Sequence, residues 1–293
     1  MSPLLEPEVI LASQASRARR LWKAISRNKL HLATLLIFIG LLLVAVFAGF
    51  IAPYSVRRPA GFPVERPSAK FWLGTDQIGR DVFSRVIFGS RISLEVGFIS
   101  SGIALLIGVP IGIISGYFGK FVDSVLMRVM DGLLAFPPVI LALATVAVLG
   151  PDLKNTIIAV GVVQIPRFAR LVRAMTSSLR NQEFVLAARA LGGSHLFIMT
   201  RAVLPNLVPI ILVQFTLTFA TSVLTEAALS FLGLGAQPPN PSWGAMLNDG
   251  KTLLSANPYI AVGSGAAIFI TVLVFSLLGD TMSDLLNPYR TKR

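Results

Sequence analysis

The chain has 293 residues, of which 54% are hydrophobic and only 14% charged, and it contains no cysteine. This composition excludes an ordinary soluble domain, where roughly 25% of residues are charged, and it excludes disulfides, thiolate catalysis and cysteine-held metals. The net charge of +12 would suit nucleic acid, but the basic residues flank long apolar stretches. Lipid headgroups are therefore the expected partner, and nucleic acid is not. His31 and His195 lie far apart in the sequence, so no histidine-rich metal site is expected.

In chain order, residues 1–30 are polar and increasingly basic, as a cytoplasmic N-terminal segment would be. An uncharged run from Leu32 to Val56 follows. It exceeds the ~7–15 apolar residues of a signal peptide, so a retained first span over 31–51 is expected. Residues 52–91 form a polar connection with Pro59, Pro63 and Pro67. Within it, Thr75 is placed to cap a short helix whose apolar face carries Ile78, Val82, Phe83, Val86 and Ile87. Such a segment suits the membrane surface or another part of the same protein.

A second span is expected over 93–116. Gly108, Gly112 and Gly116 recur every four residues and mark a face that another backbone approaches closely. A third span covers 132–149. A fourth, over 155–172, has only the short uncharged run Asn155–Pro166 and is lengthened by arginines able to snorkel. The fifth and sixth cover 206–225 and 261–278. Residues 230–258 are rich in glycine and proline and read as a loop. The expected architecture is an all-α membrane protein with about six transmembrane helices, a permease-like domain over 31–285 and a cytoplasmic tail over 286–293. Placing both termini in the cytoplasm puts most of the 26 lysines and arginines on the inner side, as the positive-inside rule requires.

Catalytic motifs are missing. The nearest approach to a phosphate-binding loop is Gly244-Ala-Met-Leu-Asn-Asp-Gly250-Lys251-Thr252. It has five residues between its glycines where GxxxxGK(S/T) has four, and no strand precedes it. Gly233 and Gly235 lack the third glycine of a dinucleotide fingerprint. Glu95, Glu226 and Asp280 fall near the predicted span ends, where water reaches them. A structural or interfacial role is expected over substrate binding. An ion-coupled secondary transporter would need a midplane ionisable group or inverted repeats, and neither is legible.

The most informative segment is 176–205, on the expected cytoplasmic side. Glu183 opens a helix in which Phe184, Ala187, Ala188 and Leu191 recur at helical spacing. Gly192-Gly193 ends it and Ser194 can cap the next helix. A helix, sharp turn and helix leading into Pro205 could dock in a groove of another protein or lie on lipid.

This segment resembles the cytoplasmic loop of binding-protein-dependent ABC importers, whose pattern is EAA, three residues, G, nine residues, I-x-LP. Ala187, Ala188, Gly192, Leu204 and Pro205 fall in register, while Leu186 stands where the family has Glu and Ala202 where it has Ile. The stretch Leu73 to Arg91, with Gly74, Thr75, Asp76, Gly79, Arg80 and Asp81, is similar to the first periplasmic segment of the dipeptide/oligopeptide/nickel class, C-type subunit. So are Glu226 to Gly235, Pro241-Ser-Trp-Gly244 and Leu278-Gly-Asp280, although Asn287-Pro288 replaces the usual Asp-Pro.

The resemblance implies a type I ABC importer permease fold without catalysis of its own. It further implies a second permease subunit, two ATPase subunits that hold ATP and Mg, and an extracytoplasmic binding protein. Glu183 to Leu191, with Gly192, Leu204 and Pro205, would couple the path to the ATPases.

Overall fold

A computed structural model describes residues 28–286. The expected N-terminal segment 1–30 and tail 286–293, with Asn287-Pro288, lie almost wholly outside the described residues.

Helix α1 (Lys29–Val46) is capped by the Asn28 side chain and continues, after a break at Phe47, into a single turn, α2 (Ala48–Ile51). Helix α3 (Val82–Phe118) is followed by α4 (Lys120–Leu134), α5 (Pro138–Leu149) and α6 (Leu153–Leu179). The short α7 (Glu183–Ala190) leads through α8 (His195–Phe197) and a π-helical stretch over Ile198–Val203 into α9 (Leu204–Phe231). Helices α10 (Trp243–Thr252) and α11 (Tyr259–Leu286) complete the order. There is no strand among the described residues.

The apolar runs become helices because lipid offers no partner for a free backbone group. The spans nevertheless differ from expectation. Among the described residues, four helices are long and apolar enough to cross a membrane: Lys29–Val46, Val82–Phe118, His195–Phe231 and Tyr259–Leu285. A fifth arises only if α4 and α5, bent by 89° at their junction, count as one. The expected third span, 132–149, is thus broken. Pro137 and Pro138 lie at the break, where Pro138 starts α5 and Pro137 disfavours helical geometry in Phe136 before it. At 12 residues, α5 is about 18 Å long and too short for a hydrocarbon core of about 30 Å.

The expected fourth span lies inside α6, which is not among the four. Its Thr156, Ala159, Val163, Phe168 and Val172 are buried, so protein replaces lipid around much of it. The expected loop over 230–258 contains the helix α10. Gly244 to Thr252, the near-miss to a phosphate loop, belongs to that helix.

The expected short helix capped by Thr75 is replaced by the start of α3, which runs 37 residues without a break. Asp81 is the cap and accepts from Ser84 N at 2.8 Å and Ser84 Oγ at 2.6 Å. The Thr75 hydroxyl is engaged elsewhere, accepting from Glu65 N at 2.7 Å and donating to the Phe62 carbonyl at 2.6 Å. Inside α3, Arg91 is held by a tertiary partner, donating to the carbonyls of Ala45 and Val46 at the end of α1. Replacing Asp81 with alanine should lower stability by about 1 kcal/mol, the usual loss for a helix cap. Thermal melting of the detergent-solubilised protein measures this.

Packing centres on α3 and α6. A Cβ on Gly108 would come within 2.8 Å of the Ile165 carbonyl, one on Gly112 within 2.6 Å of the Ala169 carbonyl, and one on Gly116 within 2.6 Å of the Arg173 carbonyl. The two backbones therefore touch along this stripe. A second cluster joins α1, α3, α9 and α11 around Phe219 and Phe275, which stack at 3.5 Å. A third sits at the opposite end of α3, where Trp243 packs with Val82, Met246 and Ile260.

Candidate functional site

The segment 176–205 projects from the end of α6. Helix α7 follows Gln182 and has Glu183 in its first turn and Arg189 in its last, the signs that a helix dipole favours. It closes in a Schellman turn: Gly193 N donates to the Ala188 carbonyl and Gly192 N to the Arg189 carbonyl, both at 3.0 Å. Gly192 has φ +79°, and a Cβ there would meet nothing within 4 Å. The glycine is thus required by backbone conformation, not by space. Ser194 then caps α8, accepting from Phe197 N at 3.3 Å.

The face set expected from spacing divides in two. Phe184, Ala187 and Leu191 point outward, and Leu191 is 89% exposed. Ala188 turns inward and packs beside Val185, which is wholly buried among residues of α3, α6 and α9. Val185 was missed by sequence reasoning, because helical spacing shows that faces exist but not which one meets the protein. Glu183 is exposed, Leu204 packs on the inner cluster, and Pro205 is exposed within the first turn of α9. Leu204 and Pro205 therefore lie on the following helix and not on α7.

Polar contacts fasten this segment to the bundle. Tyr117 Oη is 3.0 Å from His195 Nδ1, and the Arg189 guanidinium lies 5.5 Å from the Tyr117 ring. Arg180 donates to the Gly116 carbonyl at 3.3 Å. Two turns back, Arg173 holds Asp123 through two bonds of 2.7 and 2.5 Å, and Asp123 also accepts from Ser115. Helices α3, α4, α6 and the loop thus form one connected end.

At the other end of α3, the residues from Gly74 to Asp81 fold as a polar knot. Gly74 and Gly79 have φ of +75° and +80°, and a Cβ on either would press on a carbonyl, of Glu65 or Gly61 respectively. Asp76 is buried and accepts from Ile78 N at 3.0 Å, Arg80 N at 2.9 Å, Arg80 Nε at 2.7 Å and Arg85 Nη1. Asn257 pins the knot to the start of α11 by donating to the Leu73 carbonyl at 3.1 Å and the Thr75 carbonyl at 3.3 Å.

Trp243 closes the same end, donating to the Val86 carbonyl at 2.8 Å in space left by Gly89. Of the three acidic residues near expected span ends, Glu95 and Asp280 are exposed, whereas Glu226 is wholly buried. Glu226 accepts from Ser230 Oγ at 2.6 Å. Its burial depends on the chain from Gly235 to Gly244 folding back over the last turn of α9, which no local pattern announces.

Residues 108–292 match the family described as binding-protein-dependent transport system inner membrane component. The chain belongs to this family. Residues 16–61 additionally match the N-terminal TM domain of oligopeptide transport permease C. The chain is 42% identical to the dipeptide transport system permease protein DppC of Alkalihalophilus pseudofirmus over 272 residues, covering 92% of this chain and 89% of that one. It is 43% identical to the glutathione transport system permease protein GsiD of Escherichia coli, covering 98% and 94%.

In fold it is similar to the MetNI methionine ABC transporter in an inward-facing conformation, with a TM-score of 0.56, 18% identity, and coverage of 70% of this chain and 98% of that one. The chain is a multi-pass inner-membrane permease subunit of an ABC importer, and the alternative of an ion-coupled secondary transporter falls away.

Proposed function

We propose that this permease forms, with a second permease subunit, the path by which peptides or related small solutes enter the cell. ATP and Mg are bound and hydrolysed on two separate ATPase subunits, this chain is not itself an enzyme, and an extracytoplasmic binding protein delivers the substrate. Peptides are the favoured class because relatives above 40% identity are named for dipeptide and glutathione transport. Both termini and the 176–205 segment then face the cytoplasm, and the Gly74–Asp81 knot faces outward.

The observation that carries the coupling role is helix α7. It is clamped from beneath by Val185 and Ala188, closed by a glycine turn, and it presents Phe184, Ala187 and the almost bare Leu191. A large apolar side chain held out on a rigid helix is complementary to a groove in a partner. The basic residues around it suit an acidic groove rim.

Co-expression with its ATPases tests this. Leu191→Glu, at an exposed position, should leave the melting temperature of the chain unchanged. It should weaken co-purification of the ATPases by about tenfold or more, the loss expected when one buried leucine contact is removed. Undiminished ATPase recovery would remove α7 from the interface.

A further inference from the structure

The outward knot encloses an unused feature. Between it, the proline-rich turn after α9 and helix α10 lies a cavity of about 130 Å³ lined by Asp76, Arg80, Arg85, Asn240 and Asp249, among others. Asp76 is saturated by its four donors. The other charges are not. Arg80 uses only Nε and its backbone N–H among the described residues. Arg85, 4% exposed, has a buried Nε with no partner. Asp249 Oδ2 forms an ion pair with Arg85 Nη1 at 3.6 Å, beyond hydrogen-bond distance, and its carboxylate accepts no hydrogen bond among the described residues, so its lone pairs are open. Buried donors of a guanidinium are ordinarily satisfied, so this arrangement leaves positive donors and a negative acceptor side by side for something from outside.

From this cavity we infer a receiving site for an α-amino-acid head group, a carboxylate and an ammonium carried on one carbon. The carboxylate takes the free N–H groups of Arg80 and Arg85, which suit a planar anion. The ammonium donates to Asp249 and the Asn240 side-chain carbonyl. Two features select this class. The volume is enough for a head group, since a cavity holds a water in about 10–15 Å³ of such space. The site's opposite charges are also adjacent, so the ligand's charges must be adjacent too. An α-linked dipeptide separates its ammonium and carboxylate by a peptide unit, about 3.8 Å between Cα atoms. A γ-glutamyl peptide carries both on its glutamyl α-carbon. The inference rests on the peptide-import reading and narrows it to peptides that end in such a head group.

The test uses the complete importer in lipid nanodiscs without its delivery protein, with γ-glutamylglycine, glycylglycine and N-acetyl-γ-glutamylglycine as probes, and binding read by saturation-transfer NMR. γ-Glutamylglycine should bind at least about tenfold more tightly than the other two, since each of them lacks one charge-assisted contact. Asp249→Asn should abolish that preference and Asp249→Glu should retain it, which separates lost binding from lost folding. Equal binding of the three probes, no binding of any, or an unaltered preference in Asp249→Asn would each overturn the site. ATP-driven uptake with the delivery protein restored is measured separately. If no peptide enters while the Asp249-dependent preference persists, the peptide-import reading fails and the site stands.

Discussion

Gly192→Trp is expected to uncouple the importer: ATP hydrolysis should continue while uptake falls by roughly 5- to 30-fold. That range corresponds to the 1–2 kcal/mol by which a left-handed backbone disfavours a residue with a Cβ. The strain falls on the turn because Gly192 has φ +79° and yet open space around it. A Cβ there meets no obstacle, yet any residue that carries one resists the conformation that lets Gly192 N and Gly193 N cap α7. Relief of that strain unwinds the turn and displaces Phe184, Ala187 and Leu191 together. Gly192→Asn discriminates between shape and bulk, since asparagine tolerates left-handed geometry, and it should restore most of the uptake. Parallel assays of ATPase activity and uptake in proteoliposomes decide the matter, and unchanged uptake in Gly192→Trp would remove this turn from the coupling path.

Gly112→Leu should be the most damaging substitution to the fold itself. A Cβ alone would sit 2.6 Å from the Ala169 carbonyl, 2.7 Å from Val172 Cβ and 2.9 Å from Arg173 N. Two of those atoms are backbone, so no rotamer change makes room and α3 must separate from α6. Overpacking of a well-filled site ordinarily costs about 1–3 kcal/mol, and here the full side chain adds to a clash already present at Cβ. The expected outcome is a severe drop in the yield of detergent-extractable monodisperse protein. Gly102→Ala is the control on the same helix: nothing lies within 4 Å of its Cβ, and the better helix propensity of alanine should stabilise by up to about 1 kcal/mol. Equal yields for the two variants would contradict backbone contact along this face.

Features whose cause is local were legible in the sequence. The Gly192-Gly193 stop, the Ser194 cap and the long apolar runs follow from backbone preference and solvation. The register of Gly108, Gly112 and Gly116 was readable because period-four spacing has few other consequences.

Features settled by tertiary partners were not legible. Thr75 and Asp81 are both good caps by type, and Asp81 holds the helix start because the Thr75 hydroxyl serves Glu65 and Phe62 instead. The break at Pro137-Pro138 did carry a signal, but the apolar run across it concealed the change of direction. Glu226 is surrounded by small and apolar residues in sequence, yet its burial depends on the chain around Gly235 and Gly244 returning over it. Val185 and Phe184 are neighbours with opposite fates, and only the presence of α3, α6 and α9 beneath one of them decides which turns inward.

Helix α3 begins beside the Asp76 knot and ends beside Tyr117 and the contacts that fasten α7. At 37 residues it is a strut of about 55 Å. A tilt of about 5° about one end therefore carries the other through about 5 Å, close to the rise of one helical turn. A movement of the Asp76 knot and a displacement of α7 are thus two handles on the same lever.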